Sequence, residues 1–145
     1  MQRVHVVQDF PQSVQELFAH LSEQENLEPL FGARIRRLSD GTDGTRNGAG
    51  ASRELKVGPL PGFVETNVEV VPDQLIRYRI TRGGILKHHE GVMRFTPQGT
   101  GSRLDYTIDF DGKLPGIGPL VQAMLTRNVT NGLRRYARQG VPPAS

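Results

Sequence analysis

"PLVQAMLTRNVTNGLRRYARQ", residues 119–139, holds the longest regular pattern in the chain. Pro119, Leu120, Val121, Met124, Leu125, Val129, Leu133 and Tyr136 recur at steps of three and four over about five turns, the spacing of one apolar helix face. "GIGP" (116–119) reads as its start, and Gly140 before "VPP" as its stop. The remaining face is basic. No Asp or Glu follows Asp111, whereas Lys113, Arg127, Arg134, Arg135 and Arg138 do. That charge suits either an anionic partner or a wet helix face whose arginines complement the dipole. Neither aromatic interleaving nor a base-reading motif favours nucleic acid.

Upstream of this helix the period drops to two. "RVHVV" (3–7), "ARIRRLS" (33–39), "AGASRELKV" (49–57), "FVETNVEVV" (63–71), "LIRYRI" (75–80), "LKHHEGVMRF" (86–95) and "SRLDYTIDF" (102–110) read as strands. They are parted by turn-forming stretches such as "DGTDGTRNG" (40–48), "GPLPG" (58–62) and "TPQGTG" (96–101), so an antiparallel meander is expected. Two short helices interrupt it after the first strand. Val14, Leu17, Phe18 and Leu21 form the stripe of one, with Pro11 early in it. Ser22 with Glu25 reads as a capping box for the other, which should end near Pro29 and leave Leu30 and Phe31 as a plug.

The chain has 145 residues, 23% charged and 36% apolar, which fits one globular domain, expected over 1–140 with a tail at 141–145. It contains no cysteine, so a disulfide scaffold, a thiol nucleophile and cysteine-ligated zinc are excluded. No apolar run approaches the roughly 18 residues of a membrane span, and no signal-peptide core opens the sequence; the cytoplasm and no stable membrane insertion are expected. The fold class is therefore α+β: a curved antiparallel sheet of six to seven strands wrapped around a long C-terminal helix, with two short helices after the first strand. One helix cannot cover so wide a sheet, and the uncovered space is the expected cavity.

"FPQSVQELFAHLSEQENL", "GAGASRELKVG", "FVETNVEVVPDQLIRYRI", "GTGSRLDYTIDF" and the closing helix together resemble the helix-grip fold of the SRPBCC superfamily, which includes START domains, polyketide cyclases and birch-pollen-type allergens. The chain is most similar to its small bacterial polyketide cyclase/dehydrase and lipid-transport-like members. The resemblance implies a binding cavity for a small apolar molecule, an inward arginine at Arg53 and a nearby glutamate. In plant hormone receptors of this superfamily a Gly-Leu-Pro loop gates the cavity mouth. Pro59-Leu60-Pro61 stands at the matching junction without the preceding Ser-Gly, as either a gate or a rigid turn.

Alternation assigns side chains to faces. Leu104, Tyr106, Ile108 and Phe110 should point in, as should Ile76, Tyr78 and Ile80. In "KHHEGVMRF", His89 shares parity with Met93 and Phe95, and His88 with Glu90 and Arg94. The adjacent histidines therefore point apart and cannot chelate one metal, and no metal site or cofactor is expected. His89 is then a hydrogen-bonded pocket wall, a general acid–base or a ligand anchor. Arg53 shares a face with Ala51, Leu55 and Val57, so it needs a buried acceptor. Glu65 supplies one if it points in; alternation with Val64, Thr66, Val68 and Val70 inside would turn it out unless a bulge reverses the strand.

The expected function is binding of a small hydrophobic or aromatic, lipid- or polyketide-like molecule between sheet and helix. Arg53, Leu55, Val57, Tyr78, His89, Met93, Tyr106, Met124 and Asn128 are the candidate contacts. A polyketide aromatase/cyclase or dehydratase is the alternative, with His89, Glu65 and Arg53 as the candidate catalytic groups. A protein-interaction module such as a chaperone activator is a third. Nucleic acid is not an expected partner, and a homodimer is allowed.

Overall fold

The computed structural model describes residues 1–139; the helix stop expected at Gly140 and the tail at 141–145 lie outside them. Seven strands build one antiparallel sheet: β1 (Gln2–Phe10), β2 (Arg34–Ser39), β3 (Ser52–Lys56), β4 (Phe63–Val71), β5 (Leu75–Gly83), β6 (Leu86–Gln98) and β7 (Gly101–Gly112). Their order is β1-β7-β6-β5-β4-β3-β2. Strands β2 to β7 form the expected meander, and β1 joins it by pairing with β7, Val4 facing Ile108 and Val6 facing Tyr106. The sheet edges are thus β1 and β2, which follow one another in sequence. The chain between them crosses from edge to edge as α1 (Val14–Ser22), a 3-10 turn (Gln24–Leu27) and α2 (Glu28–Phe31). A long helix, α3 (Ile117–Gln139), completes the helix-grip arrangement.

Three local expectations need correction. Pro11 lies outside α1, because Ser13 is the residue that starts it: extended in backbone, it accepts the Glu16 N–H at 3.2 Å through its hydroxyl. The Ser22–Glu25 box does not form. Arg37 draws both Glu23 (2.7 Å) and Glu25 (3.0 Å) away, and the Ser22 hydroxyl donates back to the Ala19 carbonyl. Leu120 is 67% exposed instead of sharing the buried stripe of α3. The helix packs chiefly on β1 and α2, so only a narrow face is covered: in its first turns Ile117, Gly118 and Val121 pack inward and Leu120 is left on the solvent side.

Farther along α3, Val129, Leu133 and Tyr136 are buried. Tyr136 stacks on His20 with ring centroids 4.1 Å apart and meets Phe10 at 5.8 Å. Gly132 lets Leu30 approach so closely that a Cβ there would stand 3.2 Å from its side chain. Leu30 and Phe31 are the buried plug, and α2 stops at Gly32, whose φ of +62° suits glycine.

The inner sheet face follows the alternation. Leu104, Tyr106, Ile108, Phe110, Ile76, Tyr78, Met93 and Phe95 are all buried. Charged pairs lace the outer face, among them Arg3–Asp109 and Arg103–Asp9, both at 2.7 Å, and Arg77 between Glu69 and Glu90. Gly91 is paired with Tyr78, and the place of its missing side chain is filled by that ring; a Cβ there would collide with the phenol. Gly91→Ala is therefore expected to overpack the core and to destabilise the fold by about 1–3 kcal/mol, read from the urea midpoint. An unchanged midpoint would mean that Tyr78 has room to move.

Candidate functional site

The site begins with two irregularities that turn polar residues inward. On β4, Phe63, Glu65 and Asn67 face the interior, while Thr66 bonds Thr81 on the outside at 2.9 Å. A register shift between Asn67 and Glu69 then changes sides, and Val70 packs inward. Glu65 is therefore inside, although the valine alternation reads the other way. The second irregularity is on β6, between Lys87 and Glu90, where His88 is an extra residue with φ of +53°. This bulge allows Leu86 and His89 both to face in. His88 points out and bonds the Asp111 carboxylate at 2.9 Å, so the two histidines do part as expected.

Pairing of β5 with β6 runs only to Tyr78–Gly91, which releases the Ile80 N–H from the ladder. His89 Nδ1 accepts that N–H at 3.0 Å. A backbone N–H can only donate, so Nδ1 carries no proton and Nε2 does. Nε2 lies 3.7 Å from Glu65 Oε2. Burial pushes the His89 pKa below its ordinary value, more strongly than the Glu65 charge raises it. The imidazole is thus neutral at neutral pH, one nitrogen holding the sheet and the other aimed at a carboxylate.

Arg53, 2% exposed, neutralises Glu65 from behind. Its Nε donates to Oε1 at 3.1 Å and its Nη1 to Asn67 Oδ1 at 3.2 Å. Nη2 stands 3.0 Å from the same Oε1 but is misaligned for a hydrogen bond. The guanidinium carbon also sits 4.9 Å from the centre of the Tyr78 ring. The Tyr78 hydroxyl bonds that of Tyr106, and burial raises the pKa of both phenols.

A cavity of about 70 Å³ lies between the first half of α3 and strands β3 to β7. That is well above the roughly 10–15 Å³ a single water needs. Val121, Met124 and Leu125 form its helical wall, Leu55, Val57, Tyr78, Ile80 and Ile108 its sheet wall, and Leu60 and Pro61 its rim. Among the described residues, Glu65 and His89 are its only ionisable lining side chains apart from the Tyr78 phenol. Of the residues expected at a ligand, Leu55, Val57, Tyr78, His89 and Met124 line it. Arg53 and Met93 instead border a small void of about 10 Å³ behind Tyr78, and Tyr106 reaches the site only through the Tyr78 hydroxyl. Asn128 lies against Gly32 and not on the cavity wall. Alternation turned Ile80 inward without marking it as a cavity wall, and Val121, Leu60 and Pro61 were not among the expected contacts, because which part of α3 faces the cavity is set by packing and not by period. Among the described residues no three His, Asp or Glu side chains converge as a metal site would require.

The family described as "Polyketide cyclase / dehydrase and lipid transport" matches residues 1–140. No curated protein matches the chain in sequence. Among solved structures, a START superfamily protein from Mycobacterium smegmatis is 18% identical with a TM-score of 0.77, over 94% of this chain and 97% of its own. A protein from Thermus thermophilus is 20% identical with a TM-score of 0.73, again over 94% and 97%. The Zhui aromatase/cyclase of a Streptomyces species is 16% identical with a TM-score of 0.72, over 98% and 96%. At these identities the likeness is one of fold. No helix among the described residues is long and apolar enough to cross a membrane.

Arg53→Ala leaves the Glu65 carboxylate buried and unpaired and should cost about 3–5 kcal/mol of stability, whereas Arg53→Met with Glu65→Leu should recover most of it. Equal losses from the single and double variants, by urea denaturation, would show that the pair contributes by packing alone. Stability should also respond to pH. The folded pKa of His89 lies below that of the unfolded chain, so its contribution is complete above about pH 6.5 and is lost as pH falls through the depressed value. His20, half-buried, acts in the same direction. His89→Gln should therefore flatten the decline of the urea midpoint below about pH 6.5; an unaltered slope would exclude His89 as its source.

Proposed function

The chain belongs to the polyketide cyclase/dehydrase and lipid-transport family, and on that premise we propose that it binds a small, uncharged, largely apolar molecule carrying a hydroxyl or phenol. The carrying observation is the polarity of the cavity: an apolar chamber with one polar edge, formed by Glu65 and His89. Glu65 Oε2 accepts and His89 Nε2–H donates, and a hydroxyl bridging their 3.7 Å separation does both at once. A ligand carboxylate would face the Glu65 charge with Arg53 already engaged behind it. Leu55, Val57, Tyr78 and Met124 provide the apolar contact, and the half-buried Met124 is a pliant wall that widens the chamber for a larger guest. Arg53 positions Glu65 and does not touch the ligand. A chain without cysteine suits the cytoplasm as the place where this happens.

A second reading, cyclase or dehydratase chemistry on a polyketide-like substrate, is favoured by the same His89–Glu65 contact, since a neutral imidazole on an apolar wall is able to move protons. The two readings part at His89. If the protein only binds, His89→Gln weakens affinity modestly and removes nothing else; if it catalyses, the same change abolishes turnover while affinity is kept.

Titration with phenylnaphthylamine, a neutral fluorescent aromatic, tests the binding reading. Saturable binding is expected, with Met124→Trp filling the chamber and weakening it at least about tenfold, the loss of roughly 1.4 kcal/mol. A naphthalene carboxylate should compete poorly and a naphthol well. A probe that binds without saturation, or equally to Met124→Trp, would remove the cavity from consideration as its site.

A further inference from the structure

The strand registers bring a distinct set of chain segments to one end of the sheet. Gln2 pairs with Phe110, Leu86 with Gly112, Phe63 with Gly83 and with Leu55, and Arg34 with Lys56. The segments 57–62, 83–85 and 112–116 and the first turn of α3 therefore lie together, and Leu60, Pro61, Ile85 and Val121 among them border the cavity. Lys113 ties two of these segments, its N–H donating to the Ile85 carbonyl and its Nζ to the Gly84 carbonyl, both at 2.9 Å.

This end is unlike the rest of the surface in two independent respects. Among the described residues six large apolar side chains are strongly exposed, and Met1 (76%), Leu60 (40%), Leu114 (66%) and Leu120 (67%) are all here. Every lysine of the chain is here too, Lys56, Lys87 and Lys113, with Arg34 and Arg82. These five side chains are exposed and form no ion pair among the described residues. The nearby acids are occupied: Asp111 by the Met1 ammonium (3.2 Å) and His88 (2.9 Å), and Glu28 by the Ile35 N–H (2.7 Å). At the opposite end the loops carry Asp40, Asp43 and Asp73 and no lysine.

We propose that this end docks on an anionic lipid bilayer, cavity mouth first. Leu60, Leu114 and Leu120 enter the interfacial layer, and the basic residues around them meet the headgroups, their alkyl stems lying along the apolar tips. Single leucines on separate segments, spaced by cations and without an aromatic anchor, fit a fluid anionic surface better than the packed pocket a protein partner presents. Docked this way, an apolar guest passes between bilayer and cavity without crossing water. The surface stands whatever the cavity holds, so its test needs no cavity ligand.

The test is co-sedimentation of the full chain with phosphatidylcholine vesicles, with and without phosphatidylglycerol. Binding is expected only to the anionic vesicles and should fade as salt is raised. Arg82→Gln and Lys87→Gln should each weaken it about fivefold, the effect of one basic residue at such a surface. Leu114→Ser with Leu120→Ser should abolish it while the circular dichroism spectrum stays unchanged. Arg134→Gln with Arg135→Gln, toward the far end of α3, should leave it intact. No binding to anionic vesicles at low salt overturns the proposal. So does a loss caused by the Arg134 and Arg135 changes instead, or a dimer in solution that the two leucine changes dissolve without any vesicle binding.

Discussion

A single helix of 23 residues has to serve as the second layer of a seven-stranded sheet. The rest of the structure depends on that mismatch. Because β1 and β2 form opposite edges, the chain between them closes one end with α1 and α2, and α3 settles against β1 and α2. The inner face of β3 to β6 near the start of α3 is left without a full partner. Apolar surface in that position either collapses or stays as a chamber. Here the first turns of α3 overhang it, the rim residues Leu60 and Pro61 flank it, and a chamber persists.

Charge in such a place is costly unless it is balanced, and the balance is what gives the chamber a polar edge. Arg53 and Glu65 cancel one another, Asn67 Oδ1 accepts a further guanidinium N–H, and His89 stays neutral while holding the Ile80 N–H. The same arrangement explains why a histidine in a cavity need not be catalytic. One of its nitrogens closes a gap where the β5–β6 ladder ends, and only the other is available to a guest.

Much of this was legible from residue order. The period-two runs upstream of the closing helix, the regular step from Val121 to Tyr136 and the parity of Tyr78, His89 and Tyr106 carried the fold and the opposed histidines. Glu65 was not legible, because Val64, Thr66, Val68 and Val70 alternate like an inward apolar face, and the bulge that corrects this leaves no mark in composition. Asn128 and Leu120 were misplaced for a different reason. Helical period defines a stripe, but the crossing of α3 over β1 decides which part of the stripe is covered. Arg53 was rightly turned inward, yet whether a buried arginine touches a guest or a neighbouring carboxylate is settled only by the third dimension.

The central claim is that the chamber holds a neutral apolar guest, and native mass spectrometry of the protein purified without detergent tests it most directly, followed by solvent extraction of whatever is retained. A bound species that extracts as an uncharged hydroxylated or aromatic molecule is the expected result. A protein that is bare and remains bare after incubation with neutral aromatic alcohols would contradict the claim, as would one that retains only carboxylates.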